Sequence, residues 1–167
     1  MSMTMRRRFG VMAMVALLGS LLSVETQQSM DATAAGGYRP DSQECQFLRQ
    51  INKYRGNDNL KLSASLGAAA AEHSEDQARR DKMYHSNLSS LLNKHDYNGS
   101  PYGENVAWGT NLDGGKAVFA AWKKSPPHDR NMKDGDFKAI GIARAEGNKG
   151  WYWTTIFGGE VDKTVNC

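Results

Sequence analysis

No CxxC pair, no HExxH and no GxSxG occurs in this sequence of 167 residues. No local motif therefore supplies a metal site or an activated nucleophile. Any chemistry has to be assembled from residues far apart in the chain. Cysteines number two, Cys45 and Cys167; neither has a neighbour at CxxC spacing, which argues against metal ligation by their thiolates. The formal net charge is only +3, with lysines and acids dispersed. A basic run with interleaved aromatics, the footprint of a nucleic-acid surface, is missing. So is any internal repeat. The one long apolar run is too short for a comfortable transmembrane helix, which takes about 20 apolar residues.

That run is informative in another way. Arg6, Arg7 and Arg8 precede the apolar stretch Phe9 to Leu22. A charged region followed by an apolar one of this length reads as an export signal, with "RRRF" also loosely resembling a twin-arginine signal. The alternative is a buried helix or a retained anchor. Ser23 to Pro40 is small, polar and aperiodic, as expected of a linker. The predicted organisation is a signal and short linker over residues 1–35, cut between Ser20 and Ala35, and one domain over residues 41–167. In an exported protein, a cysteine pair at opposite ends of the domain reads as a disulfide tying down the last residue. Two free thiols are the alternative. The chain-entropy model gives so long a loop about 4–5 kcal/mol, as an upper figure.

Apolar residues Phe47, Leu48, Ile51 and Tyr54 recur at helical spacing between a cap at Asp41 or Ser42 and a stop at Gly56. A second helix is expected over Ser63 to Met83, capped by Ser63 or Ser65 and rich in alanine. Its apolar face carries His73, read as a core residue. The stretch Tyr84 to Asn111 is rich in Asn, Ser and Gly and reads as a long surface loop, with His95 solvated within it. A third helix ends at Lys123 and Lys124, whose charge complements the helix dipole. Phe137 to Ala145 and Trp151 to Gly159 read as a β-hairpin around "EGNKG". Helices first and a hairpin last argue an α+β fold.

The stretch "WKKSPPHDRN" asks why two prolines stand before one imidazole. Ser125 suits a cap, and a proline suits the first helical position, where a missing N–H costs nothing. His128 then lies in the first turn of a short helix, whose positive dipole end disfavours imidazolium. A neutral ring is what a ligand or a base requires; the bland alternative is a surface histidine after a turn. In "YGENVAW", Glu104 sits among apolar residues, where a carboxylate is costly unless paired. Its alternative is a loop glutamate capping nearby backbone. His85, in "MYHSN", is the third candidate, as readily structural as functional.

Several of these pieces in order resemble the bacterial branch of the CAP superfamily, the SCP-like extracellular proteins. The carriers are "INKYR", the alanine-rich helix, "YHSN", "YGENVAWG", "AWKKSPPHDRNM", "FKAIGIA" and "WYWTTIFG". The resemblance implies a three-layer α-β-α sandwich with a central antiparallel sheet and a cleft. It implies His85, Glu104 and His128 as cleft residues, and zinc or another divalent cation as a candidate cofactor held by these three. A second acid known in animal and plant members has no counterpart, and Ser125 falls near its place. Asp129 and Pro127 also depart from the pattern, replacing an arginine and a glycine.

Three functions follow as expectations. The first is an exported, non-enzymatic module binding a lipid, a sterol or an envelope component, with Tyr102, Trp108, Trp122 and Trp151 as candidate lining. Of the tryptophans, Trp122 and Trp153 read as core. The second is a hydrolase, using metal-bound water or Ser125 activated by His128, with Glu104 in support. The third is a structural envelope or stress protein whose polar cluster only holds the long loop.

Overall fold

The structure, a computed structural model, describes residues 37–167. The expected export signal and its cleavage region lie outside the described residues. Asp41 starts helix α1 (Ser42–Arg55) through a capping box: its carboxylate accepts from the Gln43 and Glu44 amides, and Glu44 accepts from the Asp41 amide. Gly56, at φ 72°, stops the helix. The predicted stripe is real, with Phe47 and Ile51 fully buried. Three residues ahead of Asp41 the chain is already packed: Tyr38 is buried, and its hydroxyl donates to the Ile142 carbonyl at 2.5 Å.

Strand β1 (Lys61–Ser63) leads directly into α2 (Ala64–Arg80). Ser63 closes the strand and caps the helix, its hydroxyl accepting from the Leu66 amide at 3.1 Å. Asp81, in a left-handed conformation at φ 46°, ends the helix. Then come α3 (Leu88–Lys94), β2 (Tyr102–Gly109), α4 (Gly115–Lys123) and α5 (Pro126–Lys133), followed by β3 (Ala139–Gly147), β4 (Gly150–Gly158) and a two-residue β5 (Thr164–Val165). The strands form one sheet in the order β2-β4-β3-β1-β5. The β3–β4 hairpin stands as predicted, with Gly147 facing Gly150 across a turn of two residues, Asn148 and Lys149. No helix of the described residues is long and apolar enough to cross a membrane.

Side chains alternate across the sheet and so build two cores. On one face Ile140, Ile142, Trp153 and Phe157 pack with Phe47, Ile51, Trp122 and Met132 of α1, α4 and α5. On the other face lie Ala139, Gly141 and Ala143, under α2 and its alanines. These small residues let the helix sit close: a Cβ on Gly141 would lie 2.1 Å from the Leu66 backbone. The result is the expected α-β-α sandwich, with α2 and α3 in one helical layer and α1, α4 and α5 in the other.

Two expectations need correction. The sheet is mixed rather than antiparallel, because β1 runs parallel to β3. The long connection between them, containing four helices and β2, allows a parallel return. The stretch Tyr84 to Asn111 is not one loop, since it holds α3 and β2. β2 hid in a polar composition because it is an edge strand whose far side is closed by side chains. The outward carbonyls of Glu104 and Val106 accept from Asn131 Nδ2 at 3.2 Å and Trp122 Nε1 at 3.3 Å.

Candidate functional site

The β2 edge gathers the residues of interest. Glu104 pairs with Ile156 in the sheet and so points toward α2. Its side chain is 4% exposed. Its Oε2 accepts from His85 Nδ1–H at 2.6 Å and from the Ser86 amide at 3.2 Å. The other oxygen, Oε1, is buried without a hydrogen-bond partner, 3.8 Å from His73 Nε2. A carboxylate accepts only, so it fixes the His85 tautomer and leaves Nε2 with a free lone pair. The His85 side chain is 64% exposed, so the carboxylate lies behind a solvent-facing imidazole.

His128 arrives from the opposite layer. Pro126 and Pro127 occupy the first two positions of α5, as the sequence suggested. Ser125 stands at the N-cap but its hydroxyl makes no cap bond; it shares a 2.8 Å hydrogen bond with His128 Nδ1. Pro127 has no N–H, so one of the two donors that a cap serves is missing and the imidazole takes the hydroxyl instead. Burial pushes the His128 pKa below its ordinary value, and the nearby His85 adds to that shift. Asn105, fully buried on the other side of β2, donates from Nδ2 to the His128 carbonyl at 3.1 Å and accepts from Asn131 at 2.8 Å. This asparagine pair stitches α5 to the strand that carries Glu104. Asp129 faces away, accepting from the Tyr54 hydroxyl and pairing with Lys133.

Two histidines differ from their simplest reading. His73 is buried, as expected, but it faces the site rather than only the core. His95 is not a solvated loop residue: its side chain is 20% exposed and its Nε2 contacts Glu72 at 2.9 Å, tying the end of α3 to α2. Sequence reasoning gave no role to Asn105, Asn131 or Tyr84. The signal for His73 was present, in polar His73 and Gln77 on the alanine-rich buried face of the helix.

Of the three expected ligands, the structure brings Glu104 onto His85. Glu104 Oε2 is committed to His85 and Ser86, and among the described residues no group of three or more His, Cys, Asp or Glu side chains could hold a metal ion. Glu104 occupies the place of a carboxylate that orients an imidazole, rather than of a ligand beside it. A pocket of about 360 Å³ opens next to the site between α2 and α3, with His73, Asp76, Tyr84 and Ser86 in its wall; His85, Glu104 and His128 do not line it.

Fold and site together define an α-β-α sandwich domain whose edge strand carries a buried acid bonded to His85, with His128 on the neighbouring helix α5. The chain belongs to the CAP family, described as the cysteine-rich secretory protein family, whose model matches residues 48–157. The fold is similar to that of an outer surface protein from Borrelia burgdorferi, at 19% identity over 73% of this chain and 97% of that one, with TM-score 0.59. It is also similar to an extracellular protein with an SCP domain from Bacillus anthracis, at 20% identity and TM-score 0.57, covering 75% of this chain but only 45% of that one. A third likeness is to NaASP2, solved with Zn2+, at 12% identity over 78% of this chain and 87% of that one, with TM-score 0.56. No curated protein matches in sequence.

Proposed function

We propose that this chain is an exported CAP-domain module that binds an amphiphilic ligand, a lipid or other envelope component, at the β2 edge, and that it is not an enzyme. The observation that carries the reading is the state of the two imidazoles. Each has Nδ1 engaged, His85 by Glu104 and His128 by Ser125. Each therefore offers Nε2 to a polar head group. Of the exposed large apolar side chains, Tyr102 and Trp108 lie on β2 on the same side as Glu104, and Met83 stands two residues before His85. Apolar surface beside polar anchors suits a ligand with a tail and a head. A divalent cation would have only the two imidazoles as ligands, which makes a weak, open site.

The test is extraction of bound lipids from the exported protein, followed by binding to phosphatidylglycerol vesicles. Trp108→Ala should weaken binding about ten- to hundredfold if the ring is buried by the ligand. The double variant His85→Ala, His128→Ala should weaken it further while keeping the fold. Wild-type protein that carries no lipid and ignores vesicles overturns the reading.

The Ser125–His128 contact supports a second reading, a serine hydrolase. Among the described residues no carboxylate bonds the His128 ring, so a complete triad is missing. Ester turnover abolished by Ser125→Ala would favour this alternative.

A further inference from the structure

We propose that His73 is a positioning residue of the site: from the buried face of α2 it fixes the direction in which His85 presents its free nitrogen. The inference rests on the reading of His85 as a ligand-facing group.

The geometry begins one turn along the helix. His73 and Gln77 are four residues apart on α2 and face the same way. Gln77 is fully buried; its Oε1 accepts from the Tyr84 amide at 3.2 Å, and its Nε2 donates to Thr154 Oγ1 at 3.0 Å. His73, 5% exposed, donates from Nε2 to the Tyr84 carbonyl at 2.8 Å. A carbonyl only accepts, so the tautomer is set and Nε2 carries the hydrogen. The two rings also meet edge to face, with centroids 4.9 Å apart at 86°. The Tyr84 hydroxyl is held by Asp76 on the same helix. Tyr84 is thus gripped at its N–H, its C=O, its ring and its hydroxyl, all from α2.

The residue after His85 is gripped too, since the Ser86 amide donates to Glu104 Oε2. His85 is therefore a single step between two anchored neighbours. Its ring has to reach Glu104 Oε2 from a backbone that His73 places. His73 Nε2 also lies 3.8 Å from Glu104 Oε1, the buried oxygen that has no other partner. The same N–H thus holds the Tyr84 carbonyl and lies near the carboxylate. Burial lowers the His73 pKa and keeps the ring neutral, with Glu104 and Asp76 pulling the other way. Held geometry of this kind reduces the ordering cost of binding.

The test reads the His85 tautomer directly by ring-nitrogen NMR at pH 8 in the free, full domain. Wild-type protein should show Nδ1–H as the major form of His85, because Glu104 accepts there. His73→Phe keeps a ring against Tyr84 and loses the donor. It should stay folded by its tryptophan and methyl spectra, while His85 loses the Nδ1–H form in favour of the Nε2–H form of a solvated imidazole. His73→Gln restores a donor near the same point and should recover Nδ1–H. An unchanged His85 signature in folded His73→Phe overturns the proposal. So does loss of the signature in both folded variants, which would assign the effect to packing. Should His73→Phe fail to fold, His73→Gln decides alone: Nδ1–H retained supports the donor role, and Nδ1–H lost overturns it. No ligand enters this measurement. A protein that passes it yet binds no vesicle would sink the ligand reading and leave the role of His73 standing.

Discussion

Glu44 shows how one side chain in this protein serves two masters. It completes the capping box of α1, and its Oε1 accepts from the Arg144 amide at 2.9 Å, which joins the helix to β3. Burial is the largest influence on it and raises its pKa to about 7, despite the two amide hydrogen bonds that favour the charged form. His73 and His128 are shifted the other way, to lower values, mainly by burial. The signs oppose each other. A carboxyl with a raised pKa binds more protons folded than unfolded between its ordinary value of 4.5 and about 7, so stability falls as pH rises through that window. A histidine with a lowered pKa binds fewer protons folded, so stability rises with pH up to its unfolded value of about 6.5. In the wild-type profile the two slopes therefore work against each other. Glu44→Gln removes the falling arm. Urea denaturation of that variant should show stability climbing with pH across the same range. A profile parallel to wild type would contradict the assignment.

Among the elements, α5 depends most on partners outside itself. It spans only Pro126–Lys133, too short to be stable alone. Its C-terminal carbonyls are held by Arg55 of α1, whose side chain is 1% exposed and donates to Met132 at 3.0 Å, Asp134 at 2.7 Å and, beyond the helix, Phe137 at 3.0 Å. Removing that guanidinium strands the carbonyls of two buried residues, Met132 and Phe137, so Arg55→Met should cost about 3 kcal/mol. It should also loosen His128, seen as a broadened ring signal, before the domain unfolds. A denaturation midpoint within error of wild type would refute the claim. The sequence made α5 readable, since Ser125 and two prolines announce a helix start. It made α1, α2 and α4 readable through apolar spacing and caps. β2 escaped because Gly103, Asn105 and Gly109 carry no strand preference; its identity comes from pairing with β4 and from the asparagine and tryptophan that close its free edge. The candidate residues were legible as residue types. The arrangement of Glu104 behind His85 was not, because it follows from the register that sets Glu104 opposite Ile156, and no local pattern encodes register.

At the scale of the whole molecule, the proposed binding edge and the disulfide-tied tail lie at opposite edges of one sheet. β2, with Glu104, is one edge strand, and β5 is the other. β5 has two residues, and the chain beyond it ends in Cys167, bonded to Cys45 of α1 across a separation of 122 residues. The predicted disulfide is thus formed. The tail is also held by two register pairs with β1, by Val165 packed against the core, by a hydrogen bond from the Ala64 amide to the Lys163 carbonyl, and by one from the Ser65 amide to Asp162. These contacts also pair two first-turn amides of α2, whose Ser63 cap does not depend on the tail. The crosslink should contribute about 2–4 kcal/mol, below the loop-entropy ceiling because part of the loss is a local detachment. Cys45→Ser, Cys167→Ser protein should melt about 10 °C lower than wild type. Sites this far apart with no shared partner act additively. Below the melting range, the disulfide-free protein should therefore bind vesicles with wild-type affinity and keep the His85 Nδ1–H signature. Loss of either at a temperature where the domain remains folded would mean that the start of α2 relays strain to its His73 turn, and the two edges could no longer be treated as independent.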